Sequence, residues 1–395
     1  MSDLALDRVR NSLATETAID LTQSMVRIDS TCGKERAIAL SLEEQLKALG
    51  IGKVWCDEIP DGRLNTLWEV DSGRPGPHLL LTGHLDTKPV CEGWESDPFS
   101  GLIADGRLHG HGVMDMKAGV GSLAAALKTL VDSGVAFRGK VTFAAVADHM
   151  GDQSGSIDLF NRYSFDHCIL GELTDMQIYI AHRGRYYFDI STIGLSAHTC
   201  HKYSAVNAIE LMLPVAAELS KLTYFPQIPQ SMKDLVGPEL YTAVGRIYGG
   251  LFPGGPSMIP DRCTIRVDTR PQPGVDLPEV RALIDGALQR AKAADPRIKL
   301  EVEVADIKNA FMVRRDAPIV LAMSEAWEEV MGEKPKLVGG SWLGDTASFG
   351  GLCETVIFGP GGYPVYQPNE SLALSDIEKA TRIYAFTAAK ILGAD

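Results

Sequence analysis

The chain has 395 residues, 45% hydrophobic and 23% charged, enough for two domains with ordinary cores. Its formal charge of −13 argues against a general nucleic-acid surface, and with no long apolar run and no amino-terminal signal pattern neither a membrane span nor secretion is expected. Seven cysteines scattered without a CxxC pair fit reduced thiols in the cytoplasm.

Residues 3–28 and 35–49 carry helical spacing, the second stretch ending near Gly50, and Gly33 sits in the short loop between them. Strands are expected near 66–69 and 78–82, separated by the turn-rich DSGRPGP of 71–77. The second of these belongs to LLLTGHLDT, residues 79–87, an apolar run that delivers His84 and Asp86 two residues apart. The end of a buried strand is where open α/β proteins keep their ligands, and a neighbouring Asp can hold a ligating imidazole in one tautomer. RLHGHGV, 107–113, leads into Met114, Asp115, Met116 and Lys117 and then a small-residue helix through Leu130. Asp115 thus stands at a helix entrance, where it could cap the helix, bind a cation, or do both.

Lys140–Ala147 reads as a further buried strand running into Asp148, His149, Met150, Gly151 and Asp152, and Cys168–Gly171 as one ending at Glu172. Three strands ending in coordinating residues, with Asp115 beside them, describe a convergent rim. The middle of the chain changes character. Strands at 186–194, 243–248, 262–269 and 299–305 alternate with helices at 204–220 and 277–293, an order that suggests a ferredoxin-like α/β sandwich inserted at 184–304 between two parts of a larger domain, 1–183 and 305–395. A helix at 318–331, a strand at 354–358 and a helix at 374–392 complete the chain. The glycine-rich loops 339–346 and 359–362 have neither GxGxxG nor GxxxxGK[ST] spacing and suggest no nucleotide.

Several segments resemble, in order, the motifs of the M20 family of metallopeptidases and deacylases, which includes acetylornithine and succinyl-diaminopimelate deacylases, aminoacylases and related carboxypeptidases. They are GHLDT at 83–87, GHGVMDMKAG at 110–119, GELTD at 171–175, HRG at 182–184, SAHTCHKYSAVNA at 196–208, RVDTRPQPG at 266–274, and FGPG followed by YQPNE at 358–370. The resemblance implies a zinc-peptidase-like α/β catalytic domain with a mixed central sheet flanked by helices, and a lid domain that mediates a homodimer or higher oligomer. It implies His84, Asp115 and Glu172 as ligands of one divalent ion, Zn, Mn or Co, with Asp86 orienting His84, and His198 as a lid-domain donor to a developing oxyanion.

The family's third motif, Asp-Glu-Glu, here reads Asp148, His149, Met150, and the family's last ligand His is Tyr366. Thioether and neutral phenol are poor ligands for such ions, so the second metal site is expected to be empty. His149 stands where the general base belongs, and imidazole can serve as one. Substrate contacts are expected from Asn207, Arg266, Tyr366 and Gly361. Arg266 and Arg270 share a strand face, though, and an ion-paired surface is the plainer reading. The expected function is hydrolysis of a C–N bond in a small carboxylate-bearing substrate, by deacylation or a carboxypeptidase-like reaction. The alternatives are hydrolytic deamination of an electron-poor aromatic amine, resembling nitroanthranilate aminohydrolase, and a noncatalytic protein that keeps the fold.

Overall fold

A computed structural model describes residues 3–250 and 257–395. They divide into two compact units, one holding the chain through Ile180 with Val313–Val338 and Gly344–Asp395, the other Ala181–Met312 and Gly339–Leu343.

In the first unit six strands run in the order Lys53–Glu58, Leu64–Asp71, Lys140–Val146, His78–His84, His167–Leu170 and Glu354–Ile357. The last four are mutually parallel and the first two antiparallel, so the sheet is mixed. Leu79, Leu80 and Leu81 are all fully buried, as a central parallel strand covered on both faces requires. Leu80 packs in one cluster with Leu67, Ala144, Val146, Leu159 and Phe349. The strand Lys53–Glu58 escapes the sequence pattern because it is an edge strand, KVWCDE, half-exposed along its length.

The single helix expected over 3–28 is two, Asp3–Asn11 and Thr15–Val26. They part where the Ala14 amide donates to Thr129 Oγ1. The small-residue helix, Ala118–Asp132, is buried on nearly every side. At Gly119 a Cβ would lie 2.0 Å from the Gly171 carbonyl oxygen, so only glycine lets this helix press onto the strand end that precedes Glu172. That contact brings the Asp115 segment to the Glu172 segment.

The second unit holds a four-stranded antiparallel sheet in the order Tyr241–Gly249, Arg262–Arg270, Arg185–Ile193, Lys299–Lys308. Helices Ala208–Leu219 and Leu277–Ala294 cover one face over a core that includes Phe188, Ile190, Met212, Ile265, Val267 and Ile284. The helix expected from 204 begins later because Asn207 caps it, its Oδ1 accepting from the Ile209 amide at 3.0 Å, while Thr199–Ser204 forms a tighter 3-10 turn. No helix among the described residues is long and apolar enough to cross a membrane.

Candidate metal centre

The four parallel strands end on one edge of the first unit's sheet, and the chemistry-bearing side chains follow from those ends. His84 closes its strand, fully buried. Its Nδ1 lies 2.8 Å from the Asp86 backbone oxygen and donates to it, which leaves Nε2 facing Asp115 Oδ1 at 3.1 Å and Glu172 Oε1 at 3.8 Å. The Asp86 carboxylate, its Oδ1 3.7 Å from the same Nδ1, accepts from the backbone amides of His149 and Met150, at 3.0 and 2.7 Å. Asp86 therefore couples two strand ends, holding His84 with its carbonyl and the His149 segment with its side chain.

Asp115 sits in an irregular turn, Val113–Lys117, ahead of the small-residue helix. Two buried groups pin that turn. The Glu370 carboxylate accepts from the Met114 and Gly112 amides, at 2.7 and 3.4 Å, and Lys117 Nζ donates to the Ile28 carbonyl. Burial pushes the Glu370 carboxyl up to about 7, against the pull of those two amides.

His84, Asp115 and Glu172 are at most 3% exposed. Burial opposes the charged imidazole, but the hydrogen bond to Asp115 and the charges of Glu172, Asp115 and Asp86 raise His84 to about 10. Burial, with Asp115 and Asp345, pushes Glu172 up to about 7, against the two histidines. Glu172 Oε1 has no hydrogen-bond partner. A buried, unpartnered carboxylate oxygen within 3.8 Å of an imidazole nitrogen whose proton a cation can displace, with a second carboxylate beside them, is a donor set that fits one divalent cation.

His149 follows the Lys140–Val146 strand. Its ring stacks on that of His84, centroids 4.2 Å apart and planes 8° from parallel. Nε2 lies 3.7 Å from the same Glu172 Oε1, and His84, His149 and Glu172 form one cluster of potential ligand atoms. Nδ1 faces Asp345 Oδ1 at 3.1 Å. Asp345, 1% exposed, belongs to the glycine-rich loop of 339–346. Sequence reading passed over it because nothing local distinguishes its loop from any other.

Tyr366 donates its hydroxyl to Asp115 Oδ2. Burial and the Asp115 and Glu172 charges hold that phenol far above its ordinary pKa, in its neutral form. Gly361 has a φ of +84°, and a Cβ there would lie 2.9 Å from Met114 Cβ, so the 359–362 loop needs glycine to approach the Asp115 turn. Beside it opens a cleft of about 360 Å³ whose walls include Met114, Asp175, Gly361, Tyr363 and Asn369. A second cluster of potential ligand atoms brings Cys32 and Glu35 together with Asp86. Arg63 contacts Glu35 and Asp148 there, at 3.3 and 2.6 Å.

The remaining sequence candidates lie in the second unit. His198 is exposed, its Nδ1 accepting from the Cys200 amide. Asn207 caps its helix, and Nδ2 donates to Glu210. The Arg266 guanidinium is held bidentately by Asp189, at 2.7 and 2.6 Å.

A family model described as "Peptidase family M20/M25/M40" matches residues 80–390, and the chain belongs to that family. The succinyl-diaminopimelate desuccinylase of Methylobacterium radiotolerans is 27% identical over 389 residues, 94% of this chain and 96% of that one. The M20 family metallo-carboxypeptidase Sso-CP2 from Sulfolobus solfataricus superposes with a TM-score of 0.78 at 18% identity, over 95% and 98% of the two chains. The Bacillus subtilis protein YXEP, a dinuclear metal binding peptidase of the M20 family, does so with a TM-score of 0.69 at 14% identity, over 97% and 99%. These likenesses give the fold, an α/β catalytic region with a separate β-rich lid-like region. Family and donor set together make this chain a metal-dependent hydrolase of C–N bonds.

Proposed function

We propose that the chain hydrolyses the amide of an N-acylated, carboxylate-bearing small molecule, using one divalent ion held by His84, Asp115 and Glu172 and His149 as general base. The observation that carries this reading is Glu172 Oε1, buried and unpartnered, with the Nε2 atoms of His84 and His149 at 3.8 and 3.7 Å. When bound, the ion supplies Lewis acidity toward the scissile carbonyl and toward water. His149 then takes the proton of the attacking water at Nε2 and returns it to the departing amine. Stacking supports a base rather than a ligand: with ring planes 8° from parallel, the in-plane lone pairs of the two imidazoles run side by side and do not converge.

One ion rather than two is supported by Tyr366. Its hydroxyl occupies Asp115 Oδ2, taking up a carboxylate oxygen that a second ion would need, and Met150 offers only a thioether. Asp86 holds both histidine segments. Asn207, Arg266, Tyr366 and Gly361 are proposed as substrate contacts, while His198 as oxyanion donor keeps the role that the motif resemblance implies. So does the inserted 184–304 region, as a ferredoxin-like lid that forms a homodimer, its strand-helix-strand-strand-helix-strand order and antiparallel sheet supporting that reading. Succinyl-diaminopimelate heads the substrate panel because the relative cited above carries that name.

Turnover of succinyl-diaminopimelate and of N-acyl amino acids by H149A, alongside metal content, tests this. A loss in kcat of about 10²- to 10⁴-fold with one ion retained is expected. An undiminished rate removes His149 from the base role.

A further inference from the structure

Asp345 is a carboxylate that the reaction as described does not use, yet it is 1% exposed and neither of its oxygens meets full hydrogen-bond geometry. A charge so placed is costly unless a partner offsets it. Its neighbours are His149, whose Nδ1 lies 3.1 Å from Oδ1, and the Ser156 hydroxyl. Against burial, which pushes the carboxyl up, the charge of the facing His149 holds it below its ordinary value.

An independent feature fixes the two segments to each other. Gln153, buried in the turn after His149, donates from Nε2 to the Gly344 carbonyl at 3.2 Å and accepts from the Ser348 hydroxyl. One amide side chain thus grips the Asp345 loop on both sides of Asp345. The clamp sets the carboxylate against the imidazole edge opposite Glu172, so Asp345 meets the nitrogen that faces away from the candidate ion.

Resting on the proposed base role of His149, we infer that Asp345 is a positioning residue that accepts the Nδ1–H of His149 and fixes the tautomer whose bare Nε2 faces Glu172. The contact is at hydrogen-bond distance but off its line. Catalytic hydrogen bonds commonly tighten once substrate is bound. When Nε2 takes up the water's proton, Nδ1 keeps its own and the Asp345 carboxylate offsets the imidazolium charge.

Nitrogen NMR of the folded, metal-free full chain labelled in its nine histidines tests this without turnover, the His149 signal being assigned by its loss in H149A. In the wild type, at a pH high enough to keep His149 neutral against the pull of Asp345 and Glu172, the signal reports a protonated Nδ1 and a bare Nε2. Asp345→Asn converts it to the opposite tautomer or a mixture, and Gln153→Ala, which touches neither partner, shifts it the same way by less. In the metal-loaded enzyme D345N lowers kcat by about 10²- to 10⁴-fold, leaves KM and metal content unchanged, and costs nothing further in an H149A background. A His149 tautomer identical in wild type, D345N and Q153A overturns the inference. If instead H149A turns over at the wild-type rate, the base role fails, while the tautomer reading still decides whether Asp345 orients His149.

Discussion

Charged side chains gather in two places in this molecule, and the two obey opposite rules. On the second unit's sheet four arginines each have their own acid: Arg266 with Asp189, Arg270 with Asp268, Arg262 with Glu301, Arg185 with Asp306. All of these side chains keep some exposure to solvent. At the strand ends of the first unit, Asp86, Asp115, Glu172 and Asp345 are nearly sealed from solvent around two histidines, and oxygens of Glu172 and Asp345 lack hydrogen-bond partners. Charges that balance pair by pair at a surface need nothing further. Buried acids that outnumber their partners call for a cation, and that imbalance separates a site from a scaffold.

Removing the centre's first proposed ligand should break the contrast most severely. His84→Ala is expected to abolish tight metal binding, measured by elemental analysis after dialysis, and to cut turnover by more than about 10³-fold, because the donors act as a unit. A variant that still holds one ion per chain and turns over would show the charge excess to be structural.

A gain of function sharpens the comparison within the centre itself. Met150→Glu combined with Tyr366→His replaces the thioether and the phenol by family-type ligands and frees Asp115 Oδ2 from the Tyr366 hydroxyl. Metal titration of this double variant should rise from one ion per chain to two. Two tightly bound ions in the wild type would sink the one-ion reading at once.

How much of this was legible in the sequence follows the same division. The proposed ligands His84, Asp115 and Glu172 could be read because each stands at the end of a recognisable apolar strand or the start of a helix. The alternating four-stranded element was legible because its inward residues, such as Phe188, Ile190, Ile265 and Val267, keep strict period two. Asp345 was not, since its partner lies about two hundred positions away and no local periodicity marks a contact made by tertiary folding. The same holds for the Tyr366 hydroxyl on Asp115: the sequence shows that a histidine is missing there, but not that its replacement turns inward and takes up a carboxylate oxygen. The break between the first two helices escaped for a related reason, being set by Thr129 from a distant helix.

The smallest effect is expected on the scaffold side. Arg270 and Asp268 are neighbours on one strand, joined at 2.8 Å with side chains 28% and 25% exposed. A pair so placed is screened by water and adds about 1 kcal/mol or less to stability. Arg270→Ala should therefore lower the chemical-denaturation midpoint only slightly and leave metal content and kcat at wild-type values. A loss of metal from this variant would mean that the paired surface and the charge-rich centre are coupled. The rule that balanced surface charge marks scaffold would then fail for this fold, and Arg266, one of the proposed substrate contacts on the same face, would have to be reconsidered in the same terms.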